Sequence, residues 1–193
     1  MKRLEKYLKE IQSTVYYEPE IDYHKHISGV LIDQIEENKY KDVLDIGVGK
    51  GYSLRKFKER GFNVKGITLD NKECDDFKAE GFDVSIMDMS FLDFEDDTFD
   101  LVWCRHALEH SVMPFIALKE FWRVLRKGKE LYVELPSDNV FHIENPNHYS
   151  LFADATWMSL FKKAGFEISN RLQTHVHLKH FIDIYWQYWL KKI

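Results

Sequence analysis

Two hydrophobic rhythms alternate along this chain. Leu4, Tyr7, Leu8 and Ile11 recur at helical spacing, as do Ile27, Val30, Leu31 and Ile35 within a segment from about Asp22 to Glu37, so two amphipathic helices are predicted near the start. A loop with Tyr16, Tyr17 and Pro19 separates them. Short β-rich runs then take over at Asp42–Ile46, Val64–Leu69, Val84–Met87, Asp100–Cys104 and Glu130–Leu135. Helical stretches intervene: Tyr52–Arg60 stopped by Gly61, Asn71–Glu80 by Gly81, and Pro114–Arg126 near Gly128. A helix over Asp154–Ala164 ends at Gly165, and strands near Phe166–Thr174 and His180–Leu190 complete the pattern. In the last strand Ile182, Ile184, Trp186, Tyr188 and Leu190 alternate, although Phe181, Tyr185 and Trp189 also fit a helical period.

Short strands separated by helices require crossover connections, hence a mainly parallel sheet with helices on both faces. The length of 193 residues suits one domain with a real core, and 45% hydrophobic with 31% charged residues indicates a globular chain. No apolar stretch approaches the roughly 20 residues of a bilayer span, and Lys2, Arg3, Glu5 and Lys6 interrupt any secretory signal, so no membrane is expected and the location is cytoplasmic by default. A net charge of −5, with acids gathered around 93–100, disfavours nucleic acid as the partner. Cys74 and Cys104 form no metal-spaced pair and read as reduced thiols.

The most informative stretch is Val43-Leu44-Asp45-Ile46-Gly47-Val48-Gly49-Lys50-Gly51. An apolar strand ends beside an acid, and glycines follow at alternate positions, as in a tight turn with a ligand against bare backbone. A dinucleotide fingerprint needs its third glycine at position 52, which is Tyr. Taken alone, the glycines fit a plain turn, Asp70 and Asp88 fit helix caps, and Met89 fits packing.

Together with GITLD (ending in Asp70), MDMSFLDFEDDTFDLVWCRHALEH, LKEFWRVLRKGKELYVELP, NHYSLF and LFKKAGFE, this turn resembles the class I S-adenosylmethionine-dependent methyltransferases over roughly residues 24–190. The resemblance implies an α/β, doubly wound, mostly parallel seven-stranded sheet with an antiparallel last strand. Helices cover both faces, with residues 1–41 as a short N-terminal helical cap and 42–193 as a Rossmann-like core. It implies S-adenosyl-L-methionine as cofactor and S-adenosyl-L-homocysteine as product. Gly47, Gly49 and Gly51 meet its methionine part, and Asp45 its ammonium group. Asp70 takes the ribose hydroxyls, and Asp88 and Met89 the adenine. One departure is Arg126-Lys127-Gly128-Lys129, where the family usually has Arg-Pro-Gly-Gly.

After the fourth strand comes Arg105-His106-Ala107-Leu108-Glu109-His110. Imidazole is the natural base near neutral pH, so His106 and then His110 are the catalytic candidates for methylating an oxygen of a small or medium acceptor. On a helix, His106, Glu109 and His110 share one face, and a fourth ligand from His142, His148, His175 or His177 makes a divalent metal an alternative. Some members of the class, among them quinone-pathway O-methyltransferases and small-RNA 2′-O-methyltransferases, carry metal on an E-x-x-E-H segment. Here His106 replaces the first acid, and no metal ligand is assigned. Tyr16, Tyr17, His24 and His26 precede the first strand, where the family commonly places a substrate cover, with surface packing the plainer reading of the tyrosines; the 137–153 loop has the position of the family's acceptor-facing loop. The Trp186–Trp189 cluster is read as core or as the contact of a homodimer. A non-catalytic cofactor-binding partner protein and a metal-assisted methyltransferase of RNA termini are the competing readings.

Overall fold

A seven-stranded sheet organises the computed structural model, which describes residues 22–177 and 182–193 and the isolated positions 3, 6, 7 and 10. Helix α1 (Asp22–Asp33) is followed by β1 (Asp42–Ile46), α2 (Tyr52–Glu59), β2 (Asn63–Thr68), α3 (Asn71–Ala79) and β3 (Asp83–Ile86). Then come β4 (Phe99–Arg105), α4 (Pro114–Val124), β5 (Leu125–Pro136), the short α5 (Val140–Ile143), α6 (Asp154–Ala164), β6 (Phe166–His177) and β7 (Ile182–Lys192). Leu4, Leu8 and Ile11 of the first expected helix, the loop with Tyr16 and Tyr17 and the side chain of His24 lie outside the described residues.

Strand order is β3-β2-β1-β4-β5-β7-β6. Pairing is parallel from β3 through β5, and β7 runs antiparallel to both β5 and β6. The order reverses between β1 and β4, so crossovers leave in opposite directions there and open a crevice at the carboxyl ends of the strands. Because β7 is antiparallel, its beginning rather than its end reaches that edge, with Pro136 opposite Tyr185 and Glu134 opposite Gln187.

Period-two alternation divides the core between the two faces. Val43, Leu101 and Trp103 pack with Ile32, Ile35, Leu54, Phe57 and Phe77 from α1, its C-terminal extension, α2 and α3. Leu44, Ile46, Val102 and Cys104 pack with Leu118, Phe121, Trp157 and Phe161 from α4 and α6. Both cysteines are buried free thiols. No helix among the described residues is long and apolar enough to cross a membrane.

Two local expectations differ from the structure. Strand β5 begins at Leu125 and absorbs the predicted turn, with Gly128 at φ 76° and a register shift against β4 between Phe99 and Leu101. Two positions on β4 face five on β5 there, so the irregular strand accommodates three extra residues and the ladder resumes at Glu130. After β4 the chain does not enter a regular helix: His106 is left-handed at φ 51°, and only Leu108–His110 form a single 3₁₀ turn. The shared helical face proposed for His106, Glu109 and His110 therefore does not form.

Candidate active site

Five strand ends and the start of β7 supply the edge of the crevice. At β1 the turn is closed by Gly47 N and Val48 N donating to Ile67 O at 3.0 and 3.1 Å. Gly47, Gly49 and Gly51 all have positive φ, at 70°, 47° and 73°. Their reasons differ: a Cβ on Gly51 would lie 2.4 Å from the Phe77 ring, whereas one on Gly49 would meet nothing closer than 4.0 Å. Gly51 therefore serves helix packing, and Gly49 keeps the turn bare on its open side.

Asp45 precedes this turn and is 3% exposed. Its Oδ2 has no hydrogen-bond donor among the described residues, and burial pushes the carboxyl up to about 7. A buried acceptor without a donor is costly unless a ligand supplies one. The donor set therefore suits a cation, and an ammonium group fits.

Asp70 lies two residues beyond β2 and caps α3, its Oδ1 accepting from Glu73 N at 2.7 Å. Asp88 lies two residues beyond β3, and its Oδ1 accepts from Ser90 N at 2.8 Å. Each acid thus has the local structural job that its position after a strand suggests. Neither job excludes a ligand, because a carboxylate offers several acceptor sites. Met89 is half-buried against the core on the α4 and α6 side.

The next edge segment is a buried charge cluster around Glu134. Its carboxylate meets Arg105 Nη2 at 2.9 Å and His106 Nε2 at 2.9 Å, and accepts from Tyr132 Oη at 2.6 Å. Burial alone would raise the Glu134 carboxyl, but Arg105 and His106 with the Tyr132 hydroxyl hold it well below the usual carboxylate range. His106 Nδ1 lies 3.7 Å from Glu109 Oε1 and its ring packs edge-on against Tyr185, with centroids 4.8 Å apart. Burial and Arg105 oppose a charge on His106, yet Glu109 and Glu134 outweigh them and push it up to about 9. Near neutral pH it is a cation held between carboxylates.

His110 has a different environment. Its Nδ1 is 2.9 Å from Asn147 O, a carbonyl that can only accept, so Nδ1 carries the proton and Nε2 the lone pair. His148 repeats the pattern, with Nδ1 2.9 Å from His142 O and Nε2 3.2 Å from the Asn145 amide. Ser150 fastens this loop to the 3₁₀ turn, its N donating to Glu109 O at 2.9 Å and its hydroxyl to Ser111 O at 2.6 Å. Further along, buried His142 meets Asp183 Oδ1 at 2.8 Å, and Tyr185 Oη donates to Asp183 Oδ2 at 2.6 Å.

The structure thus brings Asp45, the glycine turn, Asp70, Asp88, His106 and His110 to the ends of successive strands, and adds His148 to His110. His175 and His177 lie on β6, at the far side of the sheet from β4. His26 is exposed on α1. Sequence reasoning passed over Glu134, Asp183 and Tyr185. The signal for Glu134 was present: an acid inside Leu131-Tyr132-Val133-Glu134-Leu135, where a strand covered on both faces is otherwise apolar.

Residues 44–133 match the family model described as Methyltransferase domain. An uncharacterized protein of Methanocaldococcus jannaschii is 32% identical over 142 residues, covering 72% of this chain and 60% of that protein. The uncharacterized methyltransferase YcgJ of Bacillus subtilis is 24% identical over 182 residues, covering 85% of this chain and 70% of its own length. Among solved structures, the [4+2]-cyclase SpnF superposes with a TM-score of 0.73 at 17% identity, over 88% of this chain and 81% of that one. The last likeness concerns the fold alone. The matched segment, 90 of the 193 residues, runs from the glycine turn through both acidic strand ends to β5, and this part of the chain is a methyltransferase domain similar to those of the class I S-adenosylmethionine-dependent methyltransferases.

Proposed function

We propose that this protein transfers a methyl group from S-adenosylmethionine to an oxygen of a small or medium acceptor. The observation that carries the reading is the buried, donorless Oδ2 of Asp45 beside a bare glycine turn at the reversal of strand order. In this reading Asp45 takes the cofactor's ammonium group, and Gly47 and Gly49 leave room for its methionine part. Asp70 receives the ribose hydroxyls, and Asp88 and Met89 hold the adenine. The bound cofactor supplies a methyl group on a sulfonium that is already a good leaving group.

What remains for the protein is alignment of the acceptor and disposal of its proton. Between the two histidines, the lone pair on His110 Nε2 favours it as proton acceptor. His106, paired with Glu134 and Glu109, acts instead as a fixed positive charge and anchor. With the acceptor oxygen aligned on the methyl group that the bound cofactor would supply, His110 would take the oxygen's proton. The half-buried His148 and the loop before it border the acceptor side, and the net charge of −5 favours a small molecule over RNA.

Calorimetry of the full chain with S-adenosylmethionine and S-adenosylhomocysteine tests the cofactor site; micromolar binding is expected, and its absence removes the proposal. A labelled-methyl screen over metabolite fractions tests catalysis. Tight cofactor binding with no label transferred to any fraction would favour the non-catalytic binding module.

A further inference from the structure

Beside the reaction edge, three acceptor groups converge with too few donors between them. One carboxylate oxygen of Glu109 and one nitrogen each of His110 and His148 all lie within 4.8 Å of one another. Both imidazoles are oriented by Nδ1–H bonds to main-chain carbonyls, at Asn147 and His142, which puts their lone pairs on Nε2. Glu109 is 1% exposed, and its Oε2 has no donor among the described residues. Among the described residues the Asn145 amide lies 3.2 Å from His148 Nε2, and His106 Nδ1 stands 3.7 Å from Glu109 Oε1. Two imidazole nitrogens and a carboxylate oxygen gathered this closely, on a glutamate whose Oε2 is buried without a donor among the described residues, are unfavourable unless a cation lies between.

We infer that Glu109, His110 and His148 form a binding site for a first-row divalent metal ion. Two imidazoles and one carboxylate suit zinc, cobalt, manganese or iron, and three protein ligands leave coordination positions open to an oxygen ligand. Carbonyl partners on the second ring nitrogens are the usual means of fixing metal-bound histidines. Ser150 holds the loop carrying His148 against the turn carrying Glu109 and His110 through two hydrogen bonds, so the ligands are gathered before any ion arrives. His106, spaced in sequence as though it were a ligand, lies outside the group: its Nε2 turns to Glu134, and its Nδ1 is a neighbour of Glu109. The inference rests on the methyltransferase reading only for its purpose, which is to lower the pKa of an acceptor hydroxyl in place of a His110 base.

A proton on His110 is the competing occupant, and metal uptake separates the two. The full-length chain, stripped with a chelator and dialysed, is titrated with Co²⁺ while its visible absorption is followed. The expected result is uptake of one equivalent with ligand-field bands, unchanged in His175→Ala on distant β6. His148→Ala, on a part-exposed loop, should weaken uptake by more than the roughly 10–100-fold that loss of an outer partner costs. Glu109→Gln provides the second variant, with circular dichroism confirming that each variant folds. No bands in the wild type, or equal titrations of wild type and His148→Ala, would overturn the inference. Calorimetry with S-adenosylhomocysteine on the stripped protein keeps this failure distinct from failure of the cofactor site.

Discussion

His106 and Glu134 are joined twice across the ends of β4 and β5. Nε2 of His106 lies 2.9 Å from Glu134 Oε1, and His106 N donates to Glu134 O at 3.0 Å. The doubled link accounts for a non-glycine residue at φ 51°, a conformation that persists only where its surroundings enforce it. It also ties the ends of β4 and β5 into one unit.

Glu134→Gln should therefore be costly although it preserves shape. The substitution leaves Arg105 and His106 as buried positive charges without their carboxylate, and breaking a buried pair costs about 3–5 kcal/mol. In a chain of this size that lowers Tm by roughly 6–20 °C. Thermal unfolding checks it, and an unchanged Tm would show that the cluster is not the support described here.

Cofactor affinity should fall as pH drops below about 7, where Asp45 takes up its proton. Binding of an ammonium group needs the carboxylate form, so the slope is positive with pH in the wild type and flattened in Asp45→Asn. The same group acts on stability with the opposite sense. Its folded pKa is raised from 3.8 to about 7, so the folded state holds the proton more tightly and stability is lost as pH rises between those values. Asp45→Asn should accordingly have a higher Tm than wild type at pH 8 while binding cofactor more weakly. Paired melting curves and calorimetry at about pH 5 and 8 test both signs.

Asp70 caps α3, and two substitutions separate that role from the proposed ribose contact. Asn retains the capping acceptor for Glu73 N, so Asp70→Asn should leave Tm nearly unchanged while weakening the cofactor about tenfold, or ~1.4 kcal/mol. Asp70→Ala should show the same weakening and a further loss of about 1 kcal/mol in stability. If both variants bind like the wild type, the acid is only a cap.

The glycines of the turn should part in the same manner. Gly51→Ala forces a methyl group into the Phe77 ring at a left-handed position and should cost about 2 kcal/mol or more. Gly49→Ala meets no neighbour and bears only the backbone strain, of order 1 kcal/mol, so its larger effect should be on cofactor affinity. Denaturant midpoints beside calorimetric titrations distinguish the two.

Much of this architecture was legible because it rests on local signals. Glycine stops and alternating apolar runs located the helices and strands, and acids within or just past strand ends drew attention to Asp45, Asp70 and Asp88. Contacts distant in sequence were harder to see. Glu134 acquires its meaning from Arg105 and His106, 29 and 28 positions away, and Asp183 from His142, 41 positions away. The spacing of His106, Glu109 and His110 suggested a helical face, but spacing cannot report that backbone hydrogen bonding to β5 pins His106 in the left-handed region. His148 was one of four candidate fourth ligands until Ser150 fastened its loop to the turn.

That fastening has a consequence for how the protein diversifies. The loop is secured near its end, at Asn147 and Ser150, while Val140, Phe141 and Ile143 face solvent at 58–69% exposure. Val140, Phe141 and Ile143 are thus the variable positions of this loop, while His142 between them stays fixed by Asp183 and by its carbonyl on His148. On the proposed reading, a library confined to those positions would sample new acceptors against an unaltered cofactor half.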